Sequence, residues 1–546
     1  MKHTINKIKT YIIWANKAAR GIKSYLVAGT VLGIISVLFD LVFVVQSKEM
    51  IDIATGTISG NLWKAACILI SIIVIDLILG VSNGYLYTQA ENLMKNNLRQ
   101  RLFAHLLIAP LYKRGSNHSG DLTARLEEDV RVVTSNIVGS LPSVVITVTQ
   151  FVGAFWLLME FDSHLAWIIV IVLPVFLVVG KFISMKLRTM TKEIRNCESK
   201  IQSHIQEGLQ HSSLLRSLQA ESLVKNNFEN LQNTVYKKIM RRTRFTLTSK
   251  AIMSVGFSAG YMVAFIWGCF SLHKGVISFG VMTAFLQLVG KIQGPTAGLA
   301  QLIPDFIHTS TSVDRLLEIE EFETEKPAPN IQLQHVPGIR FDNVKYTYPG
   351  ESQSLYQSFS YDFKPGSHTA VLGPTGTGKT TLIRLILALI QPVDGKVYIY
   401  DENESHVVSP GTRYNISYVP QGNTLLSGTI KDNLLLVNPN ATDEEINKAL
   451  HIAVADFVHD LPEGLNTLCG ERGKGLSEGQ SQRIAIARGL LKPASILLLD
   501  EISASLDKDT EELLFKRLNE EVSDKTYILI THRTSVTNYC DHILQL

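Results

Sequence analysis

The sequence predicts a multidomain membrane protein, in which an all-α domain of six membrane-spanning helices precedes an α/β domain of the P-loop class. Three observations predict this organisation. Long apolar segments recur between residues 25 and 303 of the 546-residue chain. A glycine-rich loop with the spacing G-x-x-x-x-G-K-[ST] lies at residues 373–380. An apolar, strand-like run further on ends in two adjacent carboxylates, Asp500 and Glu501.

The composition agrees with a membrane protein and argues against other classes. Hydrophobic residues make up 46% of the chain, a high share for a soluble protein. The formal net charge of +3 is small, so nucleic acid is not expected as a partner. The five cysteines are scattered and contain no C-x-x-C pair, which argues against a disulfide framework or a zinc site. We expect no cleavable signal peptide, because no short apolar core with a small-residue cleavage site begins the chain.

Six segments have the length and apolar character of membrane spans, at 25–45, 62–86, 137–159, 164–183, 251–270 and 279–303. The loops between them differ in charge. Residues 89–131 and 184–250 carry seven and thirteen lysines and arginines, whereas 46–61, 160–163 and 271–278 carry one, none and one. The positive-inside rule therefore places both long loops, the N-terminus and the C-terminal domain in the cytoplasm.

The two long loops keep apolar residues at helical spacing, as in Leu122, Leu126 and Val130. They are predicted to be helices that extend well beyond the membrane. Residues 116–122 predict a turn and a short helix near the middle of the first loop. Residues 211–216 predict a comparable element in the second.

Polar side chains fall inside the predicted spans: Asp40, Asp76, Gln150, Gln287 and Lys291. An ionised group at the bilayer centre costs about 2.5–3.5 kcal/mol on insertion scales, so such groups usually face a cavity or a partner. The alternative is that they only hold helices together. The sixth span also contains Gln293, Gly294-Pro295 and Gln301, and we expect it to line a pathway or to kink beside one.

The domain boundaries follow from composition. Residues 1–318 form the predicted membrane domain, 319–337 a linker rich in glutamate and proline, and 338–546 the α/β domain. The α/β domain opens with a strand-like alternation at 339–348. Its last residue, Tyr348, either offers a stacking surface for a purine or is a half-buried strand aromatic.

The glycine loop lies between a strand pattern at 369–372 and a helical pattern at 381–387, which is the context that a phosphate-binding loop requires. Its backbone N–H groups and the helix N-terminus would close around phosphate oxygens. Lys379 would reach the terminal phosphates, and the Thr380 hydroxyl would bind Mg²⁺. The loop residues are Gly373, Pro374, Thr375, Gly376, Thr377, Gly378, Lys379 and Thr380.

The apolar run at 494–499 suits the middle of a parallel sheet, where ligands bind beyond the carboxyl ends of the strands. Asp500 would hold Mg²⁺, and Glu501 would orient or deprotonate the attacking water. A second strand, 526–531, ends at His532. That histidine either hydrogen-bonds a γ-phosphate oxygen or is a solvated residue at a strand end.

Residues 476–480 precede a helical stretch, 481–491, and contain Ser477 followed three residues later by Gln480. This spacing is a capping-box pattern. The helix N-terminus is either capped and nothing more, or it forms a second phosphate-binding site.

Taken in order, these motifs resemble those of the ATP-binding cassette (ABC) family. The matched elements are Tyr348 with the adenine-stacking aromatic, Gly373–Thr381 with Walker A, Gln421 with the Q-loop glutamine, 476–480 with the signature motif, 496–500 and Glu501 with Walker B and the catalytic glutamate, 503–507 with the D-loop, and His532 with the switch histidine. The resemblance is dense over 338–546. Residues 1–320 are similar, more loosely, to the membrane half of exporter-type half-transporters, with 120–122 where a coupling helix is expected.

The resemblance implies an ABC-type ATPase that uses ATP and Mg²⁺ to move a substrate across the membrane by alternating access. Two cassettes would meet head to tail, and Ser477 and the Gly479 N–H would contact the γ-phosphate held by the opposite chain. Thr381, Gln480 and Asp507 would complete the ATP site, and Thr380, Gln421 and Asp500 the Mg²⁺ site. A second half-transporter is implied, with a homodimer favoured over a heterodimer.

Two departures from the family pattern remain. Glu478 stands where the signature commonly has glycine, and we expect it to be harmless if only backbone groups point inward. The sequence stops soon after His532, which puts in doubt regulation by C-terminal helices but not hydrolysis.

We expect export rather than import and a location in a bacterial inner membrane. The sequence does not identify the substrate. The alternative function is an ATP-gated membrane regulator or channel that does not pump.

Overall fold

The computed structural model describes residues 2–109, 119–161, 163–348, 351, 353–374, 376–470 and 475–546. The chain divides into two compact units. The first contains residues 1–105 and 119–321, and the second contains 106–118 and 322–546. The last helix of the first unit ends at Glu320, two residues beyond the predicted boundary at 318. Residues 321–337, which the sequence predicts to be a linker, form turns and irregular structure.

The described part of the first unit is helical. Its helices are α1 (Lys2–Ala18), α2 (Lys23–Ala54), α3 (Leu62–Ile108), α4 (Ser119–Ala124), α5 (Val130–Ser135), α6 (Leu141–Phe161), α7 (Ser163–Gln210), α8 (Ser212–Ser217), α9 (Glu221–His273) and α10 (Phe279–Glu320). Two π-helical turns, Arg125–Asp129 and Asn136–Ser140, join α4, α5 and α6 into one continuous helix.

Four stretches of helix in the described residues are long and apolar enough to cross a membrane: Lys23–Ala54, Leu62–Ile108, Gly120–Phe161 and Glu221–His273. They contain the predicted first, second, third and fifth spans. The predicted fourth span lies in α7, where the side chains of 168–181 are outside the described residues. The sixth begins α10, whose residues Phe279–Ile292 form a shorter apolar helix; the side chains of 293–304 are also outside the described residues.

The predicted long loops are helical in the described residues. Helices α3, α7 and α9 contain 47, 48 and 53 residues, whereas about 20 suffice to cross a bilayer. The predicted short helices are present as α4 and α8. Residues 116–118, the predicted turn before α4, lie outside the described residues.

Small residues allow α2 and α6 to approach closely. A Cβ placed at Gly33 of α2 would lie 2.3 Å from Cδ1 of Ile146, and one at Gly153 of α6 would lie 2.3 Å from Cδ1 of Leu41. Small residues at helix contacts are a common way to pack helices in lipid, where no hydrophobic force drives them together. The core that results joins α2 and α6 to Phe285 and Leu288 of α10.

A network of charged side chains ties the segment around α4 to α10. The buried Arg125 guanidinium donates to Asp121 (2.8 Å) and to Glu318 (2.7 Å). Arg315 lies 3.1 Å from Asp121 and 3.3 Å from Asp129. The network therefore fixes two separate turns of the first segment against α10.

The second unit combines two larger sheets with flanking helices. Its strands are β1 (Gly338–Tyr346), β2 (Tyr356–Phe363), β3 (His368–Leu372), β4 (Asp394–Tyr400), β5 (Ser405–Val407), β6 (Ile416–Val419), β7 (Gly428–Thr429), β8 (Leu468–Cys469), β9 (Ile496–Asp500), β10 (Thr526–Ile530) and β11 (His542–Gln545). Its α-helices are α11 (Lys379–Ile386), α12 (Ile430–Leu435), α13 (Asp443–Ile452), α14 (Glu478–Leu491) and α15 (Lys508–Glu521).

The parallel sheet positions the candidate site. Its strand order is β11-β3-β10-β9-β6, and β2-β1-β4-β5 form an antiparallel sheet. All residues of β9 and β10 are buried, as expected for strands covered on both faces. Because carboxyl ends of parallel strands share one edge, the segments after β3, β6, β9 and β10 emerge together. The predicted strand and helix patterns around 369–387, 494–499 and 526–531 are confirmed.

Candidate functional site

The glycine loop joins β3 to α11, and its backbone requires glycine. Gly376 and Gly378 have φ of +92° and +105°, in the left-handed region that side chains rarely adopt. A Cβ at Gly378 would also lie 2.9 Å from the Tyr356 hydroxyl. Lys379 and Thr380 occupy the first positions of α11, so the helix N-terminus faces the loop as predicted. Thr375 lies outside the described residues.

The Lys379 ammonium lies at the centre of the site. Its Nζ donates to the Gly373 carbonyl at 2.5 Å and lies 2.9 Å from Nε2 of His532. Burial lowers the pKa of this ammonium, while the carboxylates of Glu501 and Asp500 oppose the shift. The Lys379 ammonium therefore lies between the loop and the ends of the neighbouring strands. Phosphate oxygens bound there would compete with the Gly373 carbonyl and His532 for its hydrogen bonds.

Glu501 connects three strand ends. Its Oε1 lies 2.8 Å from His532 Nε2, and its Oε2 accepts a 2.7 Å hydrogen bond from the Gln421 amide. Its backbone has φ +50°, a strained conformation for glutamate, and its N–H donates to the Ile530 carbonyl at 2.9 Å. We call Lys379, Gln421, Glu501 and His532 the strand-end cluster. Nε2 of His532 is thus close to both Glu501 and Lys379, while its Nδ1 lies 3.4 Å from Lys379 Nζ.

Asp500 ends β9 as a buried carboxylate. Burial raises its pKa and Glu501 adds to the shift, whereas the Tyr418 hydroxyl, which donates to Oδ2 at 3.2 Å, opposes it. The predicted Mg²⁺ ligands, Asp500, Thr380 and Gln421, offer carboxylate, hydroxyl and amide oxygens. These hard donors suit Mg²⁺, and a buried carboxylate of raised pKa gains from a nearby cation.

Tyr348 lies just beyond β1 and reaches α11. Its hydroxyl and the Thr381 hydroxyl are 2.8 Å apart, and Arg384 donates to the same oxygen at 3.3 Å. The ring is half-buried and packs edge-on against Tyr346, with centroids 5.1 Å apart. Tyr348 is therefore anchored next to the glycine loop, and both of its predicted interpretations remain compatible with this position.

The predicted capping box before α14 is confirmed. The Ser477 hydroxyl accepts from the Gln480 N–H at 3.2 Å, and the Gln480 side chain accepts from the Ser477 N–H at 2.9 Å. Glu478 is exposed. A Cβ at Gly479 would lie 2.9 Å from the Ser505 carbonyl, so the predicted D-loop lies against this helix start.

Asp507 plays a structural part within its own chain. Its side chain caps α15 by accepting from the Thr510 N–H at 2.9 Å and from the Thr510 hydroxyl at 2.8 Å. These hydrogen bonds lower the pKa of the exposed Asp507 carboxyl. The ATP contact predicted for this residue is compatible with the cap only through the lone pairs that Thr510 leaves unused.

Helix α14, which begins with the signature residues, and the glycine loop belong to different strands of the parallel sheet. Helix α14 packs on β6, where the Ser417 hydroxyl donates to the Gly489 carbonyl at 2.7 Å. The loop follows β3, and β10 and β9 separate β3 from β6. The signature residues lie at the other end of α14 from the contact with Ser417, because Ser477 precedes Gly489 by 12 residues, or about 18 Å of helix. Among the described residues, no hydrogen bond joins Ser477, Gly479 or Gln480 to the loop.

Comparisons with known proteins agree with this geometry. Residues 26–296 match the family described as ABC transporter transmembrane region, and residues 356–504 match ABC transporter. A probable multidrug resistance ABC transporter ATP-binding/permease protein of Bacillus subtilis is 30% identical over 83% of this chain and 78% of its own length. The chain belongs to the ABC transporter family. The predicted family, ATPase domain and ATP-driven transport function are thereby confirmed.

Other similar proteins extend the comparison. An alpha-hemolysin translocation ATP-binding protein of Escherichia coli is 29% identical over 87% of this transporter and 67% of its own length. The structure of a bacterial Atm1-family ABC exporter with ATP bound has a TM-score of 0.80 and covers 96% of this chain and 94% of its own, at 21% identity. That likeness confirms the predicted fold class, a helical transmembrane domain joined to an ABC ATPase domain.

Sequence reasoning missed two side chains of the transporter's site. The Tyr418 hydroxyl bonds Asp500, and the Tyr356 hydroxyl donates to the Gly378 carbonyl at 3.0 Å. Tyr418 stands three residues before the Q-loop Gln421, but the sequence reasoning gave neither tyrosine a role. Tyr418 could be suspected only once β6 is known to pair with β9, because that pairing brings together residues 82 positions apart.

Proposed function

We propose that this ABC transporter exports its substrate by alternating access as a homodimer with two ATP sites shared between the chains. One observation carries the proposal: among the described residues, Ser477, Gly479 and Gln480 make no hydrogen bond to the glycine loop of their own chain, and Ser477 and Gln480 bond to each other instead. The glycine loop therefore has no signature residue hydrogen-bonded to it within the described part of its own chain. A second chain, turned head to tail, would supply one.

Within each site the residues take distinct roles. The amides of the glycine loop and the Lys379 ammonium would bind the β- and γ-phosphates. Glu501 would orient and deprotonate the attacking water, and His532, which bonds Glu501, would hold the γ-phosphate. Thr380, Gln421 and Asp500 would hold Mg²⁺, which neutralises charge on the phosphates.

The remaining predicted contacts complete the proposed site. Tyr348 would stack on the adenine, and Thr381 would turn its hydroxyl from Tyr348 to a phosphate. Ser477, Gly479 and Gln480 of the second chain would close the site from the opposite side, with Asp507 beside them. Glu478 is exposed and takes no part in the capping hydrogen bonds of Ser477 and Gln480, which supports the harmless interpretation.

Homodimerisation is supported by the presence of Glu501 and of a well-formed signature cap in one chain. Two identical chains would then give two competent sites. The excess of lysine and arginine in the long loops supports a cytoplasmic position for the ATPase domain, and we place the transporter in a bacterial inner membrane.

The catalytic assignment is tested by Glu501→Gln in the full-length protein. We expect ATP to bind as in the wild type and phosphate release to fall by about 100-fold or more, because the amide cannot accept a proton from water. Glu520→Gln, an exposed change of the same charge, is the control and should leave the rate unchanged. Phosphate release from Glu501→Gln at the wild-type rate would remove the assignment.

The shared site is tested by mixing chains. Lys379→Met and Ser477→Arg, each carrying a different affinity tag, should be nearly inactive as homodimers. A tandem-purified mixed dimer contains one site without either change and should regain ATPase activity. A mixed dimer as inactive as its parents would contradict the composite site.

ATP-dependent uptake of candidate substrates into inside-out vesicles distinguishes transport from the alternative of an ATP-gated channel. Such a channel would give ionic current without coupled hydrolysis.

A further inference from the structure

A polar cavity opens between three helices of the membrane unit. It has a volume of about 470 Å³ and is lined by residues of α2, α3 and α10, among them Asp40, Asp76, Gln287 and Lys291. Apolar side chains, including Phe43 and Ile72, line the rest. Cavities of this size hold drug-sized molecules. The four polar residues are therefore grouped around one space, although they come from three different spans.

The cavity lies deep in the membrane unit. Asp76 lies 14 residues, or about 21 Å, after the start of α3. Lys291 lies 12 residues, or about 18 Å, after the start of α10. Asp40 lies 14 residues, or about 21 Å, before the end of α2. These helix ends are neighbours, because the Gly280 N–H donates to Asp52 at 3.0 Å. Within the predicted spans 62–86 and 279–303, Asp76 and Lys291 lie near the middle, whereas Asp40 lies five residues, or about 7.5 Å, from the end of the span 25–45.

The charges of the cavity do not balance. Lys291 Nζ and Asp40 Oδ2 are 2.6 Å apart and form an ion pair. The hydrogen bond described for Asp76 comes from the Ser36 hydroxyl, a neutral donor. Among the described lining residues, two carboxyl groups thus face one ammonium, so the lining has one more acidic than basic side chain.

The polar residues that line the cavity do more than hold the helices together. The side chains of Lys291 and Asp40 remain 30% and 35% exposed, so their charged ends border open space instead of being sealed between helices. An ionised carboxylate in such a place needs a cationic partner. The apolar part of the wall would contact the body of that partner, and the Gln287 amide would help to orient it.

We propose that this cavity binds an organic monocation, an ammonium or phosphonium group with an apolar body, with Asp76 as its counter-ion. Asp40 and Lys291 compensate each other's charge, which leaves Asp76 as the one charged side chain available to a ligand among the described residues of the lining. The inference rests on the proposed function and deepens it, because the bound cation is then the transported substrate.

The test measures binding without nucleotide. Full-length transporter in nanodiscs is titrated with tetraphenylphosphonium and with tetraphenylborate, which share shape and size and differ in the sign of their charge. Binding to empty nanodiscs is subtracted. We expect saturable binding of the cation alone, and at least about a tenfold weaker affinity in Asp76→Asn, since a desolvated charge pair is lost. Glu49→Gln, the same change at an exposed position of α2, should bind as the wild type does.

Two further measurements keep the outcome decisive. Asp76→Glu retains the charge and should retain cation binding, which separates loss of the counter-ion from a folding defect; size-exclusion profiles of all variants provide a second check. Equal specific binding of the two probes, or cation binding unchanged in Asp76→Asn, would overturn the proposal. ATPase activity of the same samples reports on the proposed function separately: if Glu501-dependent hydrolysis is present and cation binding is absent, the cavity assignment alone fails.

Discussion

The strand-end cluster of the ATPase unit and the polar cavity of the membrane unit present the same problem in two settings. In both, polar and charged side chains from distant parts of the sequence meet while part of their surface stays exposed. Gln421 and Glu501 are 80 positions apart, and Asp40 and Lys291 are 251 apart. The first group could be assembled from sequence, whereas the second could not.

The reason is the kind of scaffold. Lys379, Gln421, Glu501 and His532 each follow a parallel strand, and parallel strands bring their carboxyl ends to one edge whatever their order. Membrane helices obey no comparable rule, because each can turn any face to its neighbours and lipid imposes no direction on a polar group within the bundle. For a parallel sheet, the sequence therefore predicts which residues meet at the site. For a helical bundle, it predicts which polar residues are present but not which of them meet.

The largest expected effect tests the site that the sequence specifies. Lys379→Met should reduce ATP affinity by about 100-fold and abolish turnover, because the phosphates lose their main cationic partner at the loop. Lys364→Met, an exposed lysine close to β3, is the matched control and should bind ATP normally. Binding is measured by filter retention of labelled ATP. If both variants bind alike, the local geometry of the loop does not determine nucleotide affinity.

The second prediction concerns how closely the loop's backbone depends on glycine. Gly378→Ala should destabilise the protein by about 2–3 kcal/mol, because left-handed strain adds to the clash with Tyr356. Gly376→Ala has the same strain and no heavy atom within 4 Å, and should cost about 1 kcal/mol. Thermal unfolding of the full-length protein in detergent gives both values. Equal losses would show that the contact with Tyr356 contributes nothing.

The third prediction concerns the ion pair between Lys291 and Asp40 in the membrane unit. Lys291→Met and Asp40→Asn should each destabilise the membrane unit, and the double variant should lose less than the two changes together, since each single change leaves one charge unpaired. We expect a coupling on the order of 1 kcal/mol, because both groups are about one-third exposed. Denaturant unfolding of all four proteins completes the cycle. Additive losses would mean that the ion pair forms no energetic unit.

The smallest effect probes a residue for which the sequence predicted no role. Tyr418→Phe removes the hydroxyl that donates to Asp500 and should raise the dissociation constant for Mn²⁺, a paramagnetic substitute for Mg²⁺, by about two- to fivefold in the presence of ATP. Electron paramagnetic resonance follows the bound ion directly, apart from turnover. Tyr414→Phe alters an exposed tyrosine nearby and should have no effect. An unchanged constant in Tyr418→Phe would leave this hydroxyl without a role in placing the carboxylate.

Much of the fold followed from periodicity and from the order of the motifs. The strands before Gly373 and Asp500, the helix after the loop and the cap at Ser477 depend on neighbours within a few residues, so the sequence alone defines them. The contact between Tyr348 and Thr381, the bond from Tyr418 and the pairing of Lys291 with Asp40 depend on tertiary packing. No local pattern specifies which of several polar residues such packing will join.

The π turns at Arg125–Asp129 and Asn136–Ser140 have a consequence for mutagenesis of this chain. Each wide turn accommodates one additional residue, which rotates everything after it by about 100° relative to an uninterrupted α-helix. A cysteine scan that starts at α4 and counts 3.6 residues per turn would drift out of phase twice before it reached α6. Labels designed for one side of the helix would then report from another, unless the numbering is corrected at both places.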